Sequence, residues 1–173
     1  NFPADLYIAQ GLSEMLGAKR CELQIVNDAE IEKNITEDVA VVVLTHVNYK
    51  SGKLHDIERI THLAHEKGAL VIWDLAHSTG ALSLEIDKWN VDFAVGCGYK
   101  YLNGGPGSPA FIYAATCHHK AISQPLTGWM GHSQPFAFSK QYQPASGVKQ
   151  FLSGTPGILS MSVLDAAMDV YGG

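Results

Sequence analysis

Two side chains in this sequence stand where chemistry needs them. Asp74 closes an apolar run, Leu70-Val71-Ile72-Trp73, and Lys100 follows a second run that begins at Phe93. A carboxylate at the end of a buried strand is costly unless a cation or hydrogen bonds compensate it. Its plain role is to cap the segment that follows; its chemical role is to face a buried cation. Lys100 precedes a glycine-rich loop, Asn103-Gly104-Gly105-Pro106-Gly107, whose glycines permit positive φ and close backbone approach. A desolvated lysine in such a place is an amine nucleophile able to form a Schiff base. The pair suits pyridoxal phosphate. The lysine takes the aldehyde, and the carboxylate keeps the pyridine nitrogen protonated so that the ring accepts electrons from a carbanion.

Both residues need strand ends to hold them, and the apolar pattern supplies these. Val39 to Val47 is nearly all apolar and β-branched, Ala69 to Trp73 is a second such run, and Val91 to Val95 a third. Runs of this kind suit strands of a parallel sheet buried on both faces. Ala110 to Tyr113 reads as a short fourth strand, open to an antiparallel placement, and Cys21 to Val26 alternates as another short strand. Asp5 to Leu16, Asp56 to Lys67 and Leu159 to Val170 have helical spacing, the first two closed by Gly17 and Gly68. Strands alternating with helices predict an α/β fold, a mostly parallel sheet flanked by helices. Ligands of such sheets sit at the carboxyl ends of the strands. That rule singles out Thr45 to Asn48, Asp74 to His77, Gly98 to Lys100 and the loop Asn103 to Gly107.

Composition excludes several classes. The chain has 173 residues, 46% hydrophobic and 17% charged, enough for one medium domain with a core. Twelve Lys and Arg against 17 Asp and Glu give a net charge of −5, which argues against nucleic acid as partner. The longest apolar run, Val39 to Leu44, has six residues, whereas a membrane helix needs roughly 18 or more. Cys21, Cys97 and Cys117 are odd in number and scattered, as expected in a reducing compartment. The chain opens at Asn1 on a helical pattern and closes at Gly172-Gly173 just after another; it reads as a piece of a longer chain.

The stretches Asp74-Leu75-Ala76-His77-Ser78-Thr79-Gly80 and Tyr99-Lys100-Tyr101-Leu102-Asn103-Gly104-Gly105-Pro106-Gly107 resemble the kynureninase family, fold-type I pyridoxal phosphate enzymes of the class V aminotransferase superfamily. Phe2-Pro3-Ala4-Asp5-Leu6-Tyr7 and Gly128-Trp129-Met130-Gly131-His132 are similar to it as well. Cysteine desulfurases of that superfamily usually carry His before the lysine and Gln where His77 stands. The resemblance implies that residues 1–173 are a fragment of the large cofactor domain, with an N-terminal segment and a C-terminal small domain outside it. It implies Lys100 as the Schiff-base lysine, Asp74 on the pyridine nitrogen and His77 beside the cofactor. Tyr99 would hold the phosphate and join proton transfer. Phe2 would stack on the ring, Asp5 would support its hydrogen bonds, and Thr45 would contact it. Trp129 and Thr155 would reach the phosphate in the partner subunit of a homodimer with shared active sites. The implied activity is hydrolysis of kynurenine or 3-hydroxykynurenine to an anthranilate and alanine, in the cytoplasm, within tryptophan catabolism and NAD biosynthesis. A class V aminotransferase, a cysteine desulfurase and a cofactor-free module on the same scaffold are the alternatives. Met130, Ser108 and Gly157 depart from the commonest family pattern. The glycine turn and threonine pair that grip the phosphate, and the arginine for the substrate carboxylate, are expected outside these residues.

The remaining candidates are weaker. His46 ends a strand and reads as a hydrogen-bonded residue or a ligand. Cys117-His118-His119 has metal-ligand residue types, but adjacent residues in one loop seldom converge on one ion, so no metal site is expected. His62 and His65 read as solvated beside Glu66, and Tyr7 and Tyr142 as packing residues. Gly104 to Gly107 is not a P-loop, since no Gly-Lys-Ser/Thr follows.

Overall fold

The computed structural model describes residues 1–171. Helix α1 (Pro3–Leu16) and the short α2 (Ile31–Asn34) precede strand β1 (Val41–Thr45). Helix α3 (Ile57–Glu66) leads to β2 (Leu70–Asp74), then β3 (Phe93–Cys97), β4 (Ala110–Ala114) and α4 (Ile158–Met168). The four strands form one sheet in chain order, β1-β2-β3-β4. The first three are parallel and β4 runs antiparallel to β3.

Helix α3 forms for local reasons. The Asp56 carboxylate accepts the Arg59 N–H at 2.9 Å and caps its start. Gly68, at φ 80°, ends it in the left-handed region. Ile57, Ile60 and Ala64 on one stripe are buried against Leu44, Val71, Trp73 and Ala94 of the sheet. Trp73 is 1% exposed. At about 25 cal/mol per Å2, an indole of roughly 200 Å2 contributes about 5 kcal/mol there. Its Nε1–H donates to Thr61 Oγ1 at 3.0 Å, so the ring locks α3 to β2 without an orphaned donor.

Successive side chains alternate across the sheet. The second face carries the exposed Val41, Val43, Leu70, Val95 and Ile112. It also carries Thr45 and Asp74 at its carboxyl end, in register with one another. The connection from β2 to β3 contains turns and no helix, and it covers the core with Leu84, Ile86 and Trp89.

One expected element does not form. Cys21 to Val26 has no ladder partner and is not a strand. Alternation alone cannot make a strand; a free edge must be alongside. β1 ends the sheet among the described residues, and its outer edge is occupied at Val43 and Thr45 by the side chain of Asn1. The C-terminal helix spans Ile158–Met168 and tightens into a 3-10 turn at Asp169–Tyr171. Tyr7 is 68% exposed, so it is not a packing residue here.

Candidate active site

Parallel strands end together, and that brings the two chemical residues to one edge. Asp74 is the last residue of β2, paired in register with Thr45 on one side and Val95 on the other. It is 7% exposed, and its Oδ1 accepts the Ala76 N–H at 2.8 Å. The capping role is therefore filled by one oxygen of the carboxylate. After Asp74 the chain turns at once: the Ser78 and Thr79 N–H groups both donate to Leu75 O. The turn swings His77 towards the next strand end. Lys100 lies beyond the end of β3, and its Nζ is 3.1 Å from His77 Nε2 and 5.5 Å from the Tyr99 ring centroid.

The electrostatics of the cluster follow from burial. Burial lowers the pKa of His77, and the charge of Lys100 lowers it further. A lowered pKa favours the neutral imidazole, which offers one donor and one acceptor nitrogen. Asp5, in the first turn of α1, is raised above the ordinary carboxylate range by burial and then by the neighbouring charge of Asp74. Phe2, just before α1, stands edge-on to Tyr49 with centroids 5.1 Å apart. Thr45 is 2% exposed, and its Oγ1 donates to Val47 O at 3.0 Å.

The glycine-rich loop does what its composition foretells. Gly105 and Gly107 take φ of 71° and 84°, and Asn103 takes 61°. The Asn103 N–H donates to Lys100 O at 3.0 Å, closing the turn after the lysine. A Cβ on Gly98 or Gly104 would collide with Ser108 Oγ and crowd Leu164 of α4. Glycine is needed there for space rather than for φ.

Thr45, Asp74, His77, Tyr99 and Lys100 gather at the strand ends, and Phe2 and Asp5 are delivered by α1. No hydrogen bond or ring contact among the described residues joins Trp129 or Thr155 to this group. Trp129 instead stacks with Phe138 and meets Phe136 edge-on, and its indole N–H donates to Pro135 O. Two grooves, of about 400 and 430 Å3, flank α3 and include none of Asp74, His77 or Lys100. Size marks neither as the site of chemistry; the strand-end shelf holds the reactive groups.

Several candidates take other roles. His65 is exposed on α3, and its Nε2 also bonds Asp92 Oδ2 at 2.8 Å. His118 bonds Asp92 Oδ1 at 2.7 Å, and His119 bonds Ala114 O at 3.0 Å. Among the described residues no group of three or more His, Cys, Asp or Glu is arranged for a metal. His46 is buried, and burial lowers its pKa. Sequence reasoning missed the Asp92 carboxylate and Asn1. The signal for Asp92 was an acidic residue between Val91 and Phe93 in an apolar run, the same signal that drew attention to Asp74.

The buried polar atoms of the site offer a test of what it suits. Asp5 Oδ2, His46 Nδ1, His77 Nδ1, Thr79 Oγ1 and Ser108 Oγ are buried without a hydrogen-bond partner, and Asp5 and His77 belong to the strand-end group. Such atoms are rare in folded proteins and mark places completed by another group. Donors and a carboxylate around a lysine suit a small heteroaromatic ligand with an aldehyde and an anionic tail.

Comparison with known proteins agrees. The chain is 49% identical over 172 residues to kynureninase of Deinococcus radiodurans, covering 99% of this chain and 42% of that one. It is 47% identical to kynureninase of Pseudomonas fluorescens, covering 99% and 41%. The chain thus spans about two fifths of the length of these curated relatives. Among solved structures, an apo cysteine desulfurase from Thermococcus onnurineus NA1 superposes with a TM-score of 0.77 at 25% identity, over 96% of this chain and 42% of that one. A C-DES mutant with glycine covalently linked to its PLP cofactor superposes with a TM-score of 0.70 at 19% identity, over 86% and 39%. The aminotransferase class-V model matches residues 5–172, and the chain belongs to the aminotransferase class-V family.

Proposed function

We propose that this chain is the cofactor-binding part of a kynureninase. The enzyme would use pyridoxal 5'-phosphate to hydrolyse kynurenine or 3-hydroxykynurenine to anthranilate or 3-hydroxyanthranilate and alanine. The observation that carries the reading is the meeting of Asp74, His77 and Lys100 at adjacent strand ends, with unpartnered polar atoms around them. The 49% identity to a kynureninase supports this substrate class over a desulfurase or aminotransferase, whose structural likeness comes with 25% identity or less. Tyr99 before the lysine and His77 after the aspartate support it too.

When bound, pyridoxal phosphate supplies an electron sink for the carbon next to the substrate amine. Lys100 would hold the cofactor through its amine and would move the proton at the substrate α-carbon. Asp74 holds a proton on the pyridine nitrogen. Asp5 orders the ring's hydrogen bonds and Phe2 covers its face. His77 offers its Nδ1–H to the cofactor and positions Lys100 through Nε2. Thr45 closes the strand-end wall, and Tyr99 holds the phosphate and takes part in proton transfer. Water would add to the γ-carbonyl; the β–γ bond would break with its electron pair on the β-carbon, the γ-carbon leaving as the carboxylate of the anthranilate, and the β-carbon would take up a proton to give alanine.

The homodimer and its shared sites belong to this proposal. Trp129, Phe136 and Phe138 are 43%, 70% and 75% exposed, and aromatic groups of this kind are enriched at interfaces. Trp129 and Thr155 would complete the partner's phosphate site. The small-molecule substrate is met in the cytoplasm, consistent with three unpaired cysteines; no helix among the described residues is long and apolar enough to cross a membrane.

The test is direct. The protein reconstituted with pyridoxal phosphate should absorb in the visible, and Lys100→Ala should abolish that band. Borohydride reduction followed by peptide mass spectrometry should find the cofactor on Lys100; attachment to another lysine would refute the assignment. Blue anthranilate fluorescence on adding kynurenine separates hydrolysis from the alternatives, for which cysteine or an amino-group acceptor would be the productive substrate.

A further inference from the structure

Helix α1 delivers Phe2 and Asp5 to the site, yet none of its residues is buried. Leu6 and Ala9 are only half-buried, so apolar burial anchors the helix weakly. Its contacts with the sheet begin at Asn1. The side-chain Oδ1 of Asn1 accepts the Thr45 N–H at 2.9 Å, and its Nδ2 donates to Val43 O at 3.2 Å. These two backbone groups flank Leu44 and both point to the outer edge of β1, because Ala40 and His46 use the opposite edge to bond Leu70 and Asp74. In a parallel ladder a neighbouring residue gives its N–H to one strand residue and takes the N–H of the residue two further on. The Asn1 amide does the same with its own donor and acceptor.

We propose that Asn1 is a positioning residue, its side-chain amide replacing one residue of a neighbouring parallel strand so that Phe2 and Asp5 are fixed against the strand ends. Three consequences of the geometry support this. Phe2 is the next residue, and its ring is braced by Tyr49. The Asp5 N–H donates to Phe2 O at 3.1 Å, so the acid is placed relative to the anchored backbone and not by a free helix. Thr45, the residue whose N–H is held, is in register with Asp74. One amide thus ties the cap of α1 to the strand that neighbours the essential carboxylate. The role of Phe2 and Asp5 towards the cofactor rests on the proposed function; the anchoring of α1 does not.

The experiment compares Asn1→Ala, Asn1→Asp and a control, Ser13→Ala, in the intact protein. Ser13 holds the far end of the same helix, its Oγ donating to Cys21 O at 2.7 Å. Hydrogen exchange at Thr45 in the cofactor-free protein is the first readout. Asn1→Ala should lose protection there, and Asn1→Asp should keep it, since a carboxylate still accepts from Thr45 while failing to donate to Val43. In the loaded protein Asn1→Ala should weaken pyridoxal phosphate about tenfold, the size expected for two modest hydrogen bonds. It should also change the visible circular dichroism of the bound cofactor, which reports ring orientation. Asn1→Asp should fall between Asn1→Ala and wild type, and Ser13→Ala should leave affinity and dichroism unchanged. Wild-type protection at Thr45 in Asn1→Ala overturns the anchor. Where Asn1→Ala does not fold, wild-type affinity and dichroism in Asn1→Asp overturn it. A wild-type protein with no visible band on adding cofactor refutes the proposed function alone, and the exchange result then decides the anchor by itself.

Discussion

Replacing Asp92 by alanine removes the acceptor of three hydrogen bonds at the end of the sheet opposite the lysine. Asp92 is 5% exposed. Its Oδ2 accepts from His65 at 2.8 Å and from the Val71 N–H at 2.9 Å, and its Oδ1 is bonded to His118 at 2.7 Å. The Val71 N–H is buried and would be orphaned, at about 1–3 kcal/mol. The two imidazoles are partly exposed and can turn to water, so each lost bond costs about 0.5–1.5 kcal/mol. Removing a buried carboxylate recovers part of its desolvation penalty, and a net loss of about 2–4 kcal/mol is expected. That corresponds to a thermal midpoint lower by about 5–15 °C. Burial works against the ionised carboxyl, but the bonds from His65, His118 and Val71 outweigh it and lower its pKa. The unfolded protein then binds more protons than the folded one at acid pH. The contribution of Asp92 is complete above its unfolded value of about 3.9 and is lost as pH falls through the lower folded value. Urea unfolding followed by circular dichroism, repeated between pH 7 and pH 3, measures both effects. The difference between wild type and Asp92→Ala should shrink as pH falls below about 4. A loss under 1 kcal/mol at pH 7, or a difference that grows below about pH 4, would refute the reasoning.

Four further outcomes are expected. Asp74→Asn should leave the fold intact and lower turnover by orders of magnitude; a rate within about threefold of wild type, under 1 kcal/mol, would sink its role. The same substitution removes one of the causes that raise Asp5, so Asp5 should titrate lower in carboxyl-detected NMR of the cofactor-free protein, and an upward shift would contradict the placement. Gly80→Ala should destabilise by about 2–5 kcal/mol, combining a left-handed φ with overpacking: Gly80 has φ 86°, and a Cβ there would lie 2.6 Å from Tyr101 O. Trp129→Ala should weaken both dimerisation and cofactor affinity, measured by sedimentation and absorbance titration; a monomer with unimpaired cofactor binding would refute the shared site.

Much of this was legible in the sequence because the site is built where strands stop. Apolar β-branched runs announce buried parallel strands, and a charged residue directly after such a run is conspicuous, as Asp74 and Lys100 were. Helix α3 was readable from both ends, since Asp56 and Gly68 act through local backbone chemistry. Cys21 to Val26 was misread because alternation describes a strand's faces and says nothing of whether an edge is free. The bond of the exposed His65 to Asp92 was not legible, because a helical surface position gives no hint of a carboxylate 27 residues away. Asn1 was silent for a related reason: an asparagine amide that imitates backbone has no pattern in its own neighbourhood. Trp129 and Thr155 stay apart from the strand ends, and no local rule could have joined them.

The strand order has a consequence for how the chain acquires its shape. Among the described residues each strand pairs with the one before it in sequence. The parallel partners lie 29 residues apart from β1 to β2 and 21 apart from β2 to β3, and parallel pairing across such loops is slow. A chain leaving the ribosome can still add β2 to β1 and β3 to β2 as each emerges, in the N-terminal-first manner of synthesis. Asp74 would be seated when β2 docks, and the turn to His77 would follow within a few residues. Lys100 would then arrive beside an acceptor already in place.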